Sequence, residues 1–317
     1  MQITNGAMRR RQARPAGAAG RPGFSKMALA LSRPSRFPSS PMTVHRRLLL
    51  AASLAAVLPA QAQQRRPQTV PLLVGVATAL SDSGFARHVR AALARDTGLA
   101  VTMTPGASGK LLDLLERGEL DVAITHAPEI EAGLEKEGLI HDRRFIAANR
   151  FVLAGPVATQ GKERGKDPLG LAGGTDAAAA LARIAEAGAQ GQARFVSAVD
   201  GSGAQLKEAA LFRTAGVVPQ GPWLLKSAGG AGETLAQAAA QGAYVLVDRG
   251  TWLASKQRAG LGVLVQDDPR LADRFHAMRS FRSHHPAARM FVDWLTGPTG
   301  RRVVARAPGG YSASRGA

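Results

Sequence analysis

The chain has 317 residues, 45% of them hydrophobic, which is enough to bury a sizeable core in one large or two ordinary domains. It contains no cysteine, which excludes disulfides, thiolate metal sites and a cysteine nucleophile. The formal net charge of +18 points first toward nucleic acid, but residues 1–62 hold ten basic and no acidic side chains. The remaining 31 basic and 23 acidic residues leave a moderate +8, with no interleaved aromatic and basic stripe of the kind that stacks bases.

Residues 1–41 are rich in Arg, Pro, Gly and Ser and read as a disordered leader, or as lying upstream of a true start at Met42. Residues 42–62 read as a secretory signal peptide. Arg46 and Arg47 form the positive region, Leu48–Leu58 the apolar run and Ala60-Gln61-Ala62 the cleavage site. That apolar run is shorter than the roughly 20 residues of a membrane span. The expectation is therefore an exported, periplasmic protein.

From Pro71 the chain alternates strand-like and helix-like runs. Strands are expected at Leu72–Ala77, Ala100–Thr104, Asp121–Thr125 and Phe151–Ala154. Helices are expected between them at Phe85–Thr97, Lys110–Arg117 and Glu129–Glu137. After a polar loop at Ala158–Gly174 the rhythm resumes, with helices at Thr175–Gly188, Gln205–Ala215 and Gly232–Gln241. The matching strands are Arg194–Ser197, Trp223–Lys226 and Tyr244–Asp248. A last strand at Phe275–Phe281 precedes helices at Pro286–Leu295 and Thr299–Ala305. This order implies an α/β fold of two lobes, each a mainly parallel sheet flanked by helices.

Ligands of such sheets bind at the carboxyl ends of strands, where helix N-termini offer free N–H groups. Six polar turns fall at such ends, around Thr78–Gly84, Gly106–Lys110, Thr125–Pro128, Ser197–Gly203, Gly229–Thr234 and Asp248–Thr251. Each turn alone reads as an ordinary cap, with Asp82 and Asp200 as N-cap residues. Their recurrence on both lobes points to one shared cleft. Enzyme patterns fail. Gly106–Lys110 ends like a phosphate loop, but Thr104 and Leu111 stand where Gly and Ser or Thr are required. Gly201-Ser202-Gly203 lacks the nucleophile-elbow spacing. His284-His285 has no carboxylate at metal-ligand spacing.

Several stretches resemble the substrate-binding proteins of tungstate ABC importers, which have the type II periplasmic binding protein fold. They are D-S-G at Asp82–Gly84, R-G-E-L-D-V-A-I-T-H-A-P at Arg117–Pro128 and F-V-L-A-G-P at Phe151–Pro156. F-V-S-A-V-D-G-S-G at Phe195–Gly203, K-E-A-A-L-F at Lys207–Phe212 and G-A-Y-V-L-V-D-R-G-T-W-L at Gly242–Leu253 continue the series. The resemblance implies lobe 1 at 70–152 plus 275–317 and lobe 2 at 155–272, joined by two crossing strands. It implies capture of a small oxyanion, with tungstate as the type case, and delivery to an ABC permease by a monomer, with no cofactor, metal, nucleic acid or catalysis. Thr78, Ser81, Ser108, Ser197, Ser202 and Arg249 are the implied ligand contacts, with His126 and Asp200 orienting them. The family's hydroxyl-rich first turn becomes Val76, Ala77 and Ala79, and Ala198 stands where the family places an arginine. Those replacements leave open a small organic acid as the solute, or a sensor role. A periplasmic enzyme on the same scaffold is the reading from another class.

Overall fold

A computed structural model describes residues 70–161 and 164–314. The expected leader and signal peptide lie outside the described residues. The first half of the fold runs β1 (Leu72–Ala77), α1 (Thr78–Asp82), α2 (Phe85–Thr97), β2 (Val101–Gly106), α3 (Ser108–Glu116), β3 (Val122–Thr125) and α4 (Pro128–Lys136). Strand β4 (Ile140–Pro156) leads into the second half: α5 (Ala177–Ala189), β5 (Phe195–Ala198), α6 (Gly203–Thr214), β6 (Leu224–Ser227), α7 (Ala231–Gln241), β7 (Tyr244–Asp248), α8 (Arg249–Ala254) and β8 (Leu261–Val265). Strand β9 (Ala272–Ser280) returns to the first half, followed by α9 (Ala287–Thr296) and α10 (Pro298–Ala305).

The strands follow the order β2-β1-β3-β9-β4-β7-β5-β6, with β8 on β4. Pairing is parallel within β1, β2 and β3 and within β5, β6 and β7, as the βα alternation dictates. The crossing strands β4 and β9 pair antiparallel to their neighbours. Strand β4 is longer than the apolar run at its end. Residues Ile140–Arg150 pair β9, and Phe151–Pro156 pair β7 and β8. One strand thus belongs to both halves of the sheet.

Each half has its own apolar core. Leu80, Phe85, Leu93, Phe275, Phe291 and Leu295 fill the first, beneath α2 and α9. Phe151, Leu181, Phe195, Phe212 and Tyr244 fill the second, beneath α5 and α6. The tail crosses back over the first half. Tyr311 packs on Phe85 and Phe275 at centroid distances of 4.8 and 5.7 Å, and Ser312 pairs with Ala148 of β4.

Two turns are helical where the sequence suggests only a connection. Thr78–Asp82 forms α1 and Arg249–Ala254 forms α8. Neither is long enough to display a helical period. Asp82 does not cap the helix that follows it; Gly84 is the N-cap of α2, with φ +82°. Nor does Asp200 cap α6; Ser202 does, its hydroxyl accepting the Gln205 amide at 3.3 Å.

Gly155 marks a close approach between β4 and β7. A Cβ there would fall 2.2 Å from the Tyr244 ring and 2.8 Å from Leu264. Gly155→Ala is expected to lower unfolding free energy by about 1–3 kcal/mol, the usual cost of overpacking. Denaturant melts of the two proteins measure this; an unchanged midpoint would contradict the packing.

Candidate functional site

The carboxyl ends of the strands bring the predicted turns to the face where the halves meet. On the first half, Thr78 begins α1 and is half-buried, as is Ser81 one turn later. Ser108 begins α3 and is fully buried; its hydroxyl accepts the His126 amide at 3.3 Å. On the second half, Ser197 lies near the end of β5, Ser202 caps α6, Gly230 caps α7 and Asp248 caps α8.

Three contacts join these banks. The Gly109 amide donates to the Gly201 carbonyl at 3.1 Å, so the starts of α3 and α6 face each other. The Gly232 amide, in the first turn of α7, donates to the Asp82 carboxylate at 2.9 Å. The His126 ring lies against Gly203, where a Cβ would fall only 2.6 Å from its atoms. Only a glycine at the start of α6 allows that approach.

His126 is the centre of this face. Its ring stacks on Phe275 at 4.7 Å and more distantly on Phe151 at 6.0 Å, and its Nδ1 lies 3.0 Å from the Asp273 carboxylate. Burial disfavours the imidazolium, but Asp273, with Asp248 and Glu131 farther off, carries its pKa above the ordinary value. Glu131 is buried beside it and receives the Thr125 hydroxyl at 2.7 Å, the Ala127 amide at 2.9 Å and Arg143 at 3.0 Å, with His276 at 2.9 Å. Burial works against the Glu131 carboxylate, yet the bonds from His276, Thr125 and Ala127 hold its pKa below the usual range.

Two other buried carboxyls behave in the opposite way. Glu208, on α6, is hydrogen-bonded to Ser197, and burial pushes its pKa up to about 8. Asp248 receives the Thr251 amide at 2.8 Å, while burial raises its pKa to about 6. Ser197 is therefore engaged within its own half. Asp200 accepts the Ser202 amide at 3.0 Å and braces the turn. Ala198 is buried, and Arg249 is exposed at the first position of α8.

The geometry unites Ser108, His126 and the Gly201–Gly203 turn, and sets Thr78 against Gly230, where a Cβ would lie 3.6 Å from the threonine methyl. It does not bring the Arg249 guanidinium into a polar contact among the described residues. The sequence reading missed Asp273, Glu131, Glu208 and Tyr311. Glu131 carried a signal, an acid in the first turn of a helix beginning with proline. Such a face offers hydroxyls and helix-start N–H groups, which suit an anion's oxygens. Among the described residues no cluster of His, Asp and Glu is arranged to hold a metal ion.

The family model for the PBP superfamily domain matches residues 59–299. A Haloferax volcanii protein whose name describes an ABC transporter anion-binding protein is 30% identical over 246 residues, 74% of this chain and 68% of that relative. The tungstate-binding protein TupA of Peptoclostridium acidaminophilum is 26% identical over 238 residues, 74% of this chain and 80% of its own. The solved tungstate ABC transporter structure from Geobacter sulfurreducens is 29% identical, with a TM-score of 0.64 over 74% of this chain and 97% of that one.

The buried groups set a pH dependence. Glu208, Asp248 and His126 all hold protons more tightly folded than unfolded, so their contribution is full at low pH and lost as pH rises through their folded values. For Glu208 the window runs from 4.5 to about 8. Glu131 acts oppositely and loses its contribution in acid. Stability is therefore expected to decline from mildly acidic pH toward pH 8. Glu208→Gln should flatten that decline and stabilise the protein at pH 8 by about 1–3 kcal/mol, given roughly 1.4 kcal/mol per pKa unit. Denaturant midpoints at both pH values test this; identical slopes for the two proteins would contradict it.

Proposed function

The chain belongs to the PBP superfamily, and on that premise we propose that it is an exported solute-binding protein that captures a small tungstate-like oxyanion between its halves. It passes the anion to an ABC-type membrane permease from the periplasm, acting as a monomer and without catalysis. The observation that carries this reading is the meeting of the α3 and α6 starts at the Gly109–Gly201 bond. The first turn of α3 and the turn leading into α6, from opposite halves, lie side by side there, and helix N-termini favour negative charge. The names of the relatives, anion-binding and tungstate-binding, agree with that chemistry.

In this reading Thr78, Ser81, Ser108 and Ser202 donate hydroxyl hydrogen bonds to the anion, and Ser197 does so after exchanging its Glu208 partner. His126 and Asp200 hold the shell in place. Glu208, protonated up to about pH 8, adds no repelling charge beside Ser197. With alanine at position 198, the cation assigned to the anion is Arg249, exposed at the start of α8. Closure is favoured to the extent that the anion contacts both halves at once. The predicted signal at residues 42–62 supplies the export route.

Isothermal titration with tungstate, molybdate, sulfate and phosphate tests the proposal. Saturable binding of a tetrahedral oxyanion is expected. Ser108→Ala or Thr78→Val should each weaken it by about tenfold, the loss of one good hydrogen bond of roughly 1–1.5 kcal/mol. No heat with any of the four anions would discard the oxyanion while leaving the fold untouched.

A further inference from the structure

A separate cavity of about 670 Å³ opens between α4 and α6, floored by the start of β9. None of Thr78, Ser81, Ser108, Ser197, Ser202 or Arg249 lines it, although His126 and Gly203 form its inner end. Its size lies in the range of pockets for organic ligands and far exceeds the need of a tetrahedral oxyanion.

The lining combines apolar walls with uncompensated positive charge. Ile130 and Leu206, each 39% exposed, supply apolar surface, with the buried Phe151 behind Lys207. Five cations line it, and two of them are neutralised. Arg143 pairs with Glu131 and Glu135, and Arg270 with Asp268 and Asp176. The other three, Lys207, Arg213 and Arg274, have no ion pair among the described residues. Lys207 is half-buried, with Nζ donating to the Arg270 carbonyl at 2.9 Å and lying 5.9 Å from the Phe151 ring centre. Burial lowers its pKa, and Arg274 lowers it further, which outweighs the nearby acids. Of the two acids lining the cavity, Asp273 is committed to His126, which leaves exposed Glu129 against three cations.

We infer that this cavity is a second ligand site, taking an organic anion with two carboxylates on a flat apolar body. The carboxylates meet Lys207, Arg213 and Arg274, and the ring lies between Ile130 and Leu206. Arg forks bind carboxylates with charge-assisted bonds of high strength. The site draws on α4 from one half and α6 from the other, so its occupant also bridges the halves. It does not depend on the oxyanion reading.

The probe is phthalate, with benzoate as the single-charge comparison, titrated into the mature chain with and without saturating tungstate. Saturable phthalate binding is expected in both conditions, tighter than benzoate. The double variant Arg213→Gln, Arg274→Gln should weaken phthalate by about tenfold or more, as for losing charge-assisted bonds, and leave the tungstate isotherm unchanged. Both arginines are exposed, so the variant retains the fold. Circular dichroism and the tungstate isotherm verify this. Absence of saturable phthalate binding at millimolar concentration, equal affinity in the double variant, or displacement of phthalate by tungstate would each overturn the second site. Absence of tungstate binding alone would overturn only the oxyanion reading.

Discussion

A single strand shared by both halves of the sheet is the constraint on which the rest of the fold depends. Strand β4 pairs with β9 over Ile140–Arg150, then with β7 and β8 over Phe151–Pro156. It therefore fixes where Phe151 stands, and Phe151 with Phe275 fixes the plane of the His126 ring. Asp273, entering β9, holds the imidazole in that plane. Gly203 and the start of α6 then meet that ring edge with no side chain between. Sheet pairing, aromatic stacking and one glycine thus bring two helix N-termini together.

Much of this frame was legible because short apolar runs ended by Ser, Gly or Asp mark strand-to-helix turns. The β5–α6 unit shows it well, with Phe195–Ala198 buried and Ser202 capping the helix. The first eleven residues of β4 were illegible because Arg143, Arg144 and Asn149 break the apolar pattern. Their partners, Glu131, Asp293 and the Gly309 carbonyl, come from distant segments. Strand β8 contains Gly262 and follows a polar loop, so it too gave no clear period. At the site, Ser108 and Ser202 were readable as helix starts. The His126–Asp273 contact spans 147 positions and the Ser83–Tyr311 contact spans 228, so neither has a local signature.

The electrostatics of the face divide its carboxyls into two kinds. Glu131 is held in its charged form by its bonds to Arg143, His276, Thr125 and Ala127, and Asp273 holds the His126 ring. Glu208 and Asp248 are buried beside neutral donors and retain protons to higher pH. At neutral pH this keeps Glu208 uncharged beside Ser197, which removes a repulsion an anion there would otherwise meet, whereas Asp248, with its pKa raised to about 6, is mostly ionised. On the proposed reading, with Ala198 in place of a cation, neutral N–H and O–H donors at the helix starts would carry more of the anion's contacts.

The central claim is that the anion sits where the two banks of helix starts converge. Crystals of the mature chain soaked in tungstate, with data collected at the tungsten absorption edge, locate the metal atom directly. The account predicts one strong anomalous peak between the α3 and α6 starts, within hydrogen-bonding reach of Ser108 and Ser202. A peak in the α4–α6 cavity, or none at saturating tungstate, would contradict it.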